Sequence, residues 1–576
     1  MFIIRTFFLS LLLYLSLVLV LSFTSFYQTP PLEKNFYSLF AQSMVTDGDL
    51  NIINQVPEAE RWLVTKTYHH PTHLDKGIVA VLMPVFLLIK ASKLDLKHAN
   101  YDSYDLAFIL LNLFAFWASL FIANYILKRN GFNRRKSLLW LSLFVFSTPL
   151  IYYTLFSPIN SELIVMLLGF IFWIATLQFN ETKDRPLIYY VLWGAFAATC
   201  LAFKTSMIFI MPVLYYLLIK NSEAISSTFL KFKFNSAIIL GFIGIFTFIL
   251  INNYLQLGFI ANLYSYLTTT SFFSLKETLF YPNGYFVTSP FYLLLFLIPF
   301  FSIFKKATLI KISLLSLLLL IIFSAFKIPG NDSLYGPKLF LPLTVLFLIL
   351  IPSTILNKYQ GIIFSIISLF MIINLIMMTQ YMQDNISTPW ATYYWESSNF
   401  QNIFSRIVVN AKNTIHFSPD ILLKLTPFFP FALGLGILLN IFYSWDNFRA
   451  KSKSIIACTL LSLITFSFII FSSLNILNAQ AQVTKLKEQN FFSRSVVSHG
   501  AELYLYDEIL DITNTSILIH ERFRDTNDVA KRKEYLNSYK NIILNQIDYD
   551  PIGFKQDLQN NIFRNSSWVN YKGSRQ

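Results

Sequence analysis

The chain is predicted to be mainly α, a polytopic membrane helix bundle of about thirteen spans, and three observations predict it. Hydrophobic residues fill 55% of its 576 positions and charged residues only 13%, where ordinary soluble domains carry about 25% charge. Long runs without a charged residue recur from the N-terminus to about residue 474, and the mean hydropathy of the chain is +0.53. Lys and Arg, in excess by a formal charge of +14, fall mostly in the short gaps between those runs. This composition excludes a soluble enzyme, a disordered chain and a secreted cystine scaffold. It also excludes a nucleic-acid binder, because no basic polar domain with an exposed face is present. The two cysteines, Cys200 and Cys458, both lie inside apolar runs and support neither a disulfide framework nor a thiolate metal site.

A helix needs about 20 apolar residues to cross roughly 30 Å of hydrocarbon with its backbone satisfied internally. Runs of that kind lie near 6–26, 105–127, 137–155, 161–179, 187–203, 205–219, 236–256, 287–304, 308–326, 338–356, 360–380, 426–443 and 454–474. The fifth and sixth are short and flank Lys204. The first is read as a span and not a signal peptide, because no small-residue cleavage site follows it.

Orientation follows from the positive-inside rule. With a cytoplasmic N-terminus, Lys128-Arg129, Arg134-Arg135-Lys136, Lys183, Arg185, Lys220, Lys231, Lys233, Lys305-Lys306, Lys358 and Arg449-Lys451-Lys453 all fall inside. The opposite short loops, 156–160 and 328–337, are nearly free of Lys and Arg. An odd number of spans then puts the C-terminus outside. The organisation expected is a membrane module over 1–474, with a first extracytoplasmic loop at 27–104, and a small extracytoplasmic C-terminal domain over 475–576. Scarce Gly and Pro and no detectable repeat count against a secondary transporter.

Ionisable groups beside spans are costly to keep, so they are the first candidates for function. The first outer loop is richest in them. It opens with Glu33-Lys34 and continues through 36–45, where apolar residues recur at helical spacing. This segment is expected to be an amphipathic helix on the outer membrane surface. It should stop at Asp47-Gly48-Asp49, where Gly48 can adopt the left-handed conformation of a turn. The loop then runs through Tyr68-His69-His70-Pro71-Thr72-His73-Leu74-Asp75-Lys76-Gly77 into an apolar stretch, 78–89. That stretch is too short to span and is expected to lie in the interface or re-enter.

These elements resemble a known family. Glu33, Tyr37, the run 43–50 around Asp47-Gly48-Asp49, and His73-Leu74-Asp75-Lys76-Gly77 with Pro84 are similar to the first outer loop of GT-C-type integral-membrane glycosyltransferases. The members most alike are bacterial ones of the superfamily that holds protein O-mannosyltransferases and the lipid A aminoarabinose transferase. Asn283-Gly284-Tyr285-Phe286-Val287-Thr288-Ser289-Pro290 and Tyr335-Gly336-Pro337-Lys338-Leu339-Phe340-Leu341-Pro342 resemble two further elements of these proteins. The resemblance covers residues 1 to about 350, and an extracytoplasmic C-terminal domain is a family trait.

The resemblance implies transfer of a sugar from a polyprenyl-phosphate donor to a lipid, glycan or protein of a bacterial envelope, on the outer face of the inner membrane. It places Glu33 where the family carries a catalytic Asp, one methylene longer here. Lys76 matches a lysine that meets the donor phosphate, and Lys338 stands where relatives carry Arg, keeping a point charge but losing the bidentate fork. Glu162 falls where relatives carry a second acid. Tyr37, His73 and Tyr335 are implied substrate contacts, and Lys204 can reach the same cavity. Asp47 and Asp49 are candidates for catalysis or, with Glu33, for a divalent ion such as Mg²⁺ or Mn²⁺, which prefers oxygen ligands. No cofactor is certain. Membrane lipids are expected partners and nucleic acid is not.

Each assignment has a plainer counterpart. Glu33 can pair with Lys34, the two Asp residues can serve as turn formers, and Lys76 and Lys338 can be snorkelling interface cations. Lys204 can cap a helix end, and Glu162 can act only in capping after Asn160-Ser161. His69 and His73 are four apart, but Pro71 between them argues against a helix and so against a zinc pair. The alternative to a transferase is a carrier or flippase for a lipid-linked saccharide. That would place charges at mid-depth in the bundle, whereas here the acids and lysines gather at the outer mouth.

Overall fold

The computed structural model describes residues 2–27, 36–46, 77–96, 101–129, 131–181, 187–203, 207–208, 210–220, 228–257, 360–383 and 419–443, with isolated positions at 315, 318, 345 and between 463 and 470. Among the described residues the chain is almost entirely helical and has no strand. Among these residues four helices are long and apolar enough to cross a membrane: Phe2–Ser22, Ser103–Arg129, Lys233–Ile251 and Ile421–Tyr443. Shorter apolar helices include Gly77–Ala91, Glu162–Leu177, Leu187–Phe203 and Phe364–Leu375. The spans expected at 287–304, 308–326, 338–356 and 454–474 lie outside the described residues apart from those isolated positions, and the C-terminal domain at 475–576 lies wholly outside them.

Two compact units divide the helices. The first holds α1 (Phe2–Tyr27), α3 (Gly77–Ala91), α4 (Ser103–Arg129), α5 (Arg134–Ser147), α6 (Leu150–Leu155), α7 (Glu162–Glu181), α8 (Leu187–Phe203), α9 (Met211–Lys220) and α10 (Thr228–Leu257) as far as Phe246, together with α11 (Gln360–Gln383), α12 (Pro419–Leu425) and α13 (Phe429–Tyr443). The second holds α2 (Phe36–Thr46) and the end of α10.

Helix α4 is the centre of the first unit, with 83% of its apolar stretch buried against 17% for the α10 stretch. Its ends are written in the sequence. Asp102 Oδ1 accepts from the Tyr104 and Asp105 N–H groups at 2.8 and 2.9 Å, and Asp105 Oδ2 accepts from Asp102 N–H at 3.3 Å, a reciprocal capping box. At the other end Gly131 takes φ +89°. Phe132 N–H donates to Leu127 O at 3.1 Å and Gly131 N–H to Lys128 O at 3.0 Å, the paired bonds of a Schellman stop. Asn133 then caps α5, accepting from Lys136 N–H at 2.9 Å. Ser137 Oγ donates to Asn124 Oδ1 at 2.5 Å and ties α5 back to α4.

Apolar surface gains little by association inside lipid, so helices there hold together by close packing and buried polar bonds. Both are present between α1 and α13. A β-carbon on Gly436 would collide with Ser10 Oγ, so this glycine lets the two backbones meet. Asn440 Nδ2 donates to Thr6 Oγ1 at 2.9 Å and Phe2 O at 3.3 Å. Tyr14 OH donates to Leu422 O at 2.5 Å where α12 approaches α1. Trp117 Nε1 donates to Ser16 Oγ at 3.1 Å and joins α4 to α1.

Three spans depart from the expected single helices. The run 137–155 is broken into α5 and α6 at Thr148-Pro149, because the ring of Pro149 pushes Thr148 into an extended conformation, φ −119° and ψ 162°. Asn374 of α11 fills the break, its Nδ2 donating to Phe146 O at 2.8 Å and Thr148 O at 3.1 Å. In the run 205–219 the described α-helix starts at Met211, next to a turn closed by Ile210 N–H on Met207 O at 3.0 Å. The run 426–443 starts with a 3-10 turn, Thr426–Phe428, that follows α12 and leads into α13.

Helix α2 forms where helical spacing predicts it and ends before Asp47. It does not present the polar surface expected of an amphipathic interfacial helix. Tyr37, Ser38, Leu39, Phe40, Ala41, Ser43, Met44 and Val45 are all buried, and only Thr46 is exposed. Enclosure on nearly every side overrides the one-sided reading, since the spacing marks the apolar positions without saying how many faces protein will cover. Helix α3 packs on α4 and α8 despite Pro84 in its interior, and leaves Leu87 and Leu88 exposed.

Candidate functional site

The start of α7 is built by hydrogen bonds of two asparagines, Asn160 and Asn112. Asn160 Oδ1 accepts from the Glu162 and Leu163 N–H groups at 3.1 and 3.3 Å, satisfying donors that a helix leaves unpaired at its first turn. Its Nδ2 donates to Ser157 O at 2.6 Å and to Tyr153 O of α6 at 2.9 Å. Asn112, in the middle of α4, donates its two amide hydrogens to Pro158 O and Asn160 O, both at 2.7 Å. The loop 156–161 is thereby clamped between α4 and α6.

This clamp presents Glu162 as the first residue of α7, fully buried. A buried acid is costly unless it is held by donors or by favourable dipoles. Ser161 Oγ donates to Glu162 Oε2 at 2.8 Å, and the amino end of a 20-residue helix favours negative charge at this position. Asn160 and Ser161 are 1% exposed, as is Asn112. Such a carboxylate can accept a hydrogen bond from a hydroxyl or attract a cation. Asn112 Oδ1 is buried and has no hydrogen-bond partner among the described residues.

A second junction concerns the loop end before α3. Gly77, which opens α3, packs on the Phe203 ring that ends α8, and a β-carbon at Gly77 would lie 2.6 Å from Phe203 Cδ2. Gly77 follows Lys76 and Phe203 precedes Lys204 in the chain.

Of the residues predicted for the site, Glu162 and Tyr37 are among those described. Glu162 sits at the α7 start, and Tyr37 is buried in α2 of the other unit. Glu33, Asp47, Asp49, His73, Lys76, Lys204, Tyr335 and Lys338 lie outside the described residues. Among the described residues no group of three His, Cys, Asp or Glu side chains could hold a metal ion, and the Mg²⁺ or Mn²⁺ ligands considered, Glu33, Asp47 and Asp49, lie outside them. Sequence reasoning passed over Asn112. The signal was there, since a carboxamide in the otherwise apolar run 105–127 is itself expensive in a membrane helix.

Fold and site together define a mainly helical protein of membrane character, with four helices able to span among the described residues and a buried acid at the start of another helix. No protein-family model matches the chain, and no curated protein or solved structure is significantly similar to it.

Proposed function

We propose that this chain is a glycosyltransferase of the GT-C type, moving a sugar from a polyprenyl-phosphate donor to an envelope lipid, glycan or protein on the outer face of a bacterial inner membrane. The observation that carries the reading is Glu162, an acid expected at a span mouth and found closed off from solvent, with Ser161 donating to its carboxylate. The packing of Gly77 on Phe203 supports it as well, because Lys76 and Lys204 are their chain neighbours and both are candidates for one donor phosphate.

In the proposed reaction an acceptor hydroxyl or amine attacks the anomeric carbon. The bond from that carbon to the phosphate oxygen breaks, the proton passes to the Glu33 carboxylate, and the polyprenyl phosphate leaves with the negative charge. Lys76 and Lys338 stabilise that charge as it develops, and Lys204 adds to the same field. Glu162 orients the acceptor, while His73, Tyr37 and Tyr335 contact substrate. A single displacement of this kind inverts the anomeric centre. The N-terminus is cytoplasmic and the segment 475–576 extracytoplasmic in this scheme.

The test is transfer of radiolabelled sugar from polyprenyl-phosphate sugars to envelope acceptors in membranes that contain the full chain. Glu33→Gln is expected to lower turnover about 100-fold or more while donor binding persists. A Glu33→Gln chain with normal turnover removes the assignment. Movement of intact donor across proteoliposomes without release of sugar would establish the carrier instead.

A further inference from the structure

The amide of Asn112 is oriented by its surroundings. Its two N–H bonds go to the carbonyls of Pro158 and Asn160, and a flipped amide would set oxygen against both. Oδ1 is therefore an acceptor, in a residue 1% exposed, with no partner among the described residues. Buried acceptors are nearly always satisfied, so one left over at a polar cluster points to a donor supplied from elsewhere. A planar amide keeps its oxygen and nitrogen about 2.3 Å apart, which puts Oδ1 within about 5 Å of Asn160 O, two residues before Glu162.

The oxygens identified around it are acceptors that already receive hydrogen bonds. Glu162 contributes a carboxylate, the Pro158 and Asn160 carbonyls are already occupied, and no Lys or Arg lies in 156–163. A phosphate or carboxylate ligand would meet acceptors and is disfavoured. A hydroxyl, which donates to one acceptor and can still accept from another donor, fits.

We infer that the start of α7 is a binding subsite for a hydroxyl-rich molecule, with one ligand hydroxyl donating to Asn112 Oδ1 beside the Glu162 carboxylate. Asn112 is thus a positioning residue. Taken as the acceptor subsite of the transferase, the inference rests on the function proposed above and specifies a polyol or sugar as the acceptor class. Both side chains are buried, and a bound ligand is expected to raise the thermal unfolding midpoint of the chain.

The experiment uses the full chain in detergent and isothermal titration with mannose, glucose, arabinose and their singly deoxygenated analogues. In the natural chain, removal of one particular hydroxyl is expected to weaken binding about tenfold, the cost of leaving a buried acceptor unpaired. In Asn112→Leu the same removal is expected to change nothing. Asn112→Ala, which removes the acceptor without placing oxygen or extra bulk against the two carbonyls, should likewise show no change and keeps the comparison open should the Leu variant fail to fold.

No sugar binding by the natural chain, or equal penalties in the natural and Leu chains, overturns the inference. The second is the outcome if Asn112 only ties α4 to the loop or holds a water. Sugar binding with the expected pattern but no transfer in membranes leaves the subsite standing and removes the transferase. Transfer with an acceptor KM indifferent to Asn112→Leu does the reverse.

Discussion

Gly194 of α8 and Gly241 of α10 sit at a reciprocal crossing. A β-carbon on Gly194 would collide with Ile238 O, and one on Gly241 would collide with Val191 O, so each glycine receives the backbone of the other helix. The Tyr190 and Phe234 rings meet at a tilt with centroids 4.2 Å apart, and Tyr215 OH donates to Asn235 Oδ1 at 2.9 Å, bringing α9 to α10.

Gly194→Ala and Gly241→Ala are each expected to destabilise the chain by about 1–3 kcal/mol, since a backbone cannot rotate out of the way as a side chain can. The double variant should cost less than the sum, because the first substitution already parts the helices. Gly244→Ala, on the same α10, meets nothing within 4 Å among the described residues and should be neutral or slightly stabilising. Thermal unfolding in detergent measures all four chains.

Removing the reciprocal cap of α4 should cost about 0.5–2 kcal/mol in Asp102→Ala, with Asp102→Asn close to the natural chain because it still accepts from Tyr104 and Asp105 N–H. Denaturant midpoints compare the two. Equal loss in both would mean that charge, and not capping, matters at this end.

Asn374→Leu leaves the carbonyls of Phe146 and Thr148 without their shared donor, at a cost of about 1–3 kcal/mol. Hydrogen exchange should then rise around the break between α5 and α6 and stay unchanged at the α4 cap. Uniform acceleration across the chain would count against a local role.

Sidedness is open to cysteine labelling in a Cys200→Ala, Cys458→Ala background. Arg135→Cys, at the exposed start of α5, should react with an impermeant maleimide only in inside-out vesicles. Ser157→Cys, past the end of α6, should react from the other side. Reversal of the pattern would invert the orientation and with it the proposed placement of the site.

Much of this architecture was legible residue by residue. Local signals suffice for the ends of α4, because Asp102, Asp105 and Gly131 act within one turn of themselves, and for a helix at 36–45 that stops before Asp47. The break at Pro149 was open to the same reasoning, yet apolarity alone masked it, since lipid accepts an apolar segment whether or not its helix is continuous. Glu162 was visible as an acid at a span mouth.

The sequence by itself determined which stretches are apolar enough for a membrane and where local caps and turns can start or stop a helix. These depend on composition and on contacts within a few residues. Only the tertiary structure decided that Asn112 reaches across to Pro158 and Asn160, that Asn374 fills the gap at Thr148, and that Gly194 and Gly241 admit each other's helix. Those pairings join residues tens to hundreds of positions apart, and a pattern with a period of 3.6 residues carries no information about which face of which distant helix will meet it.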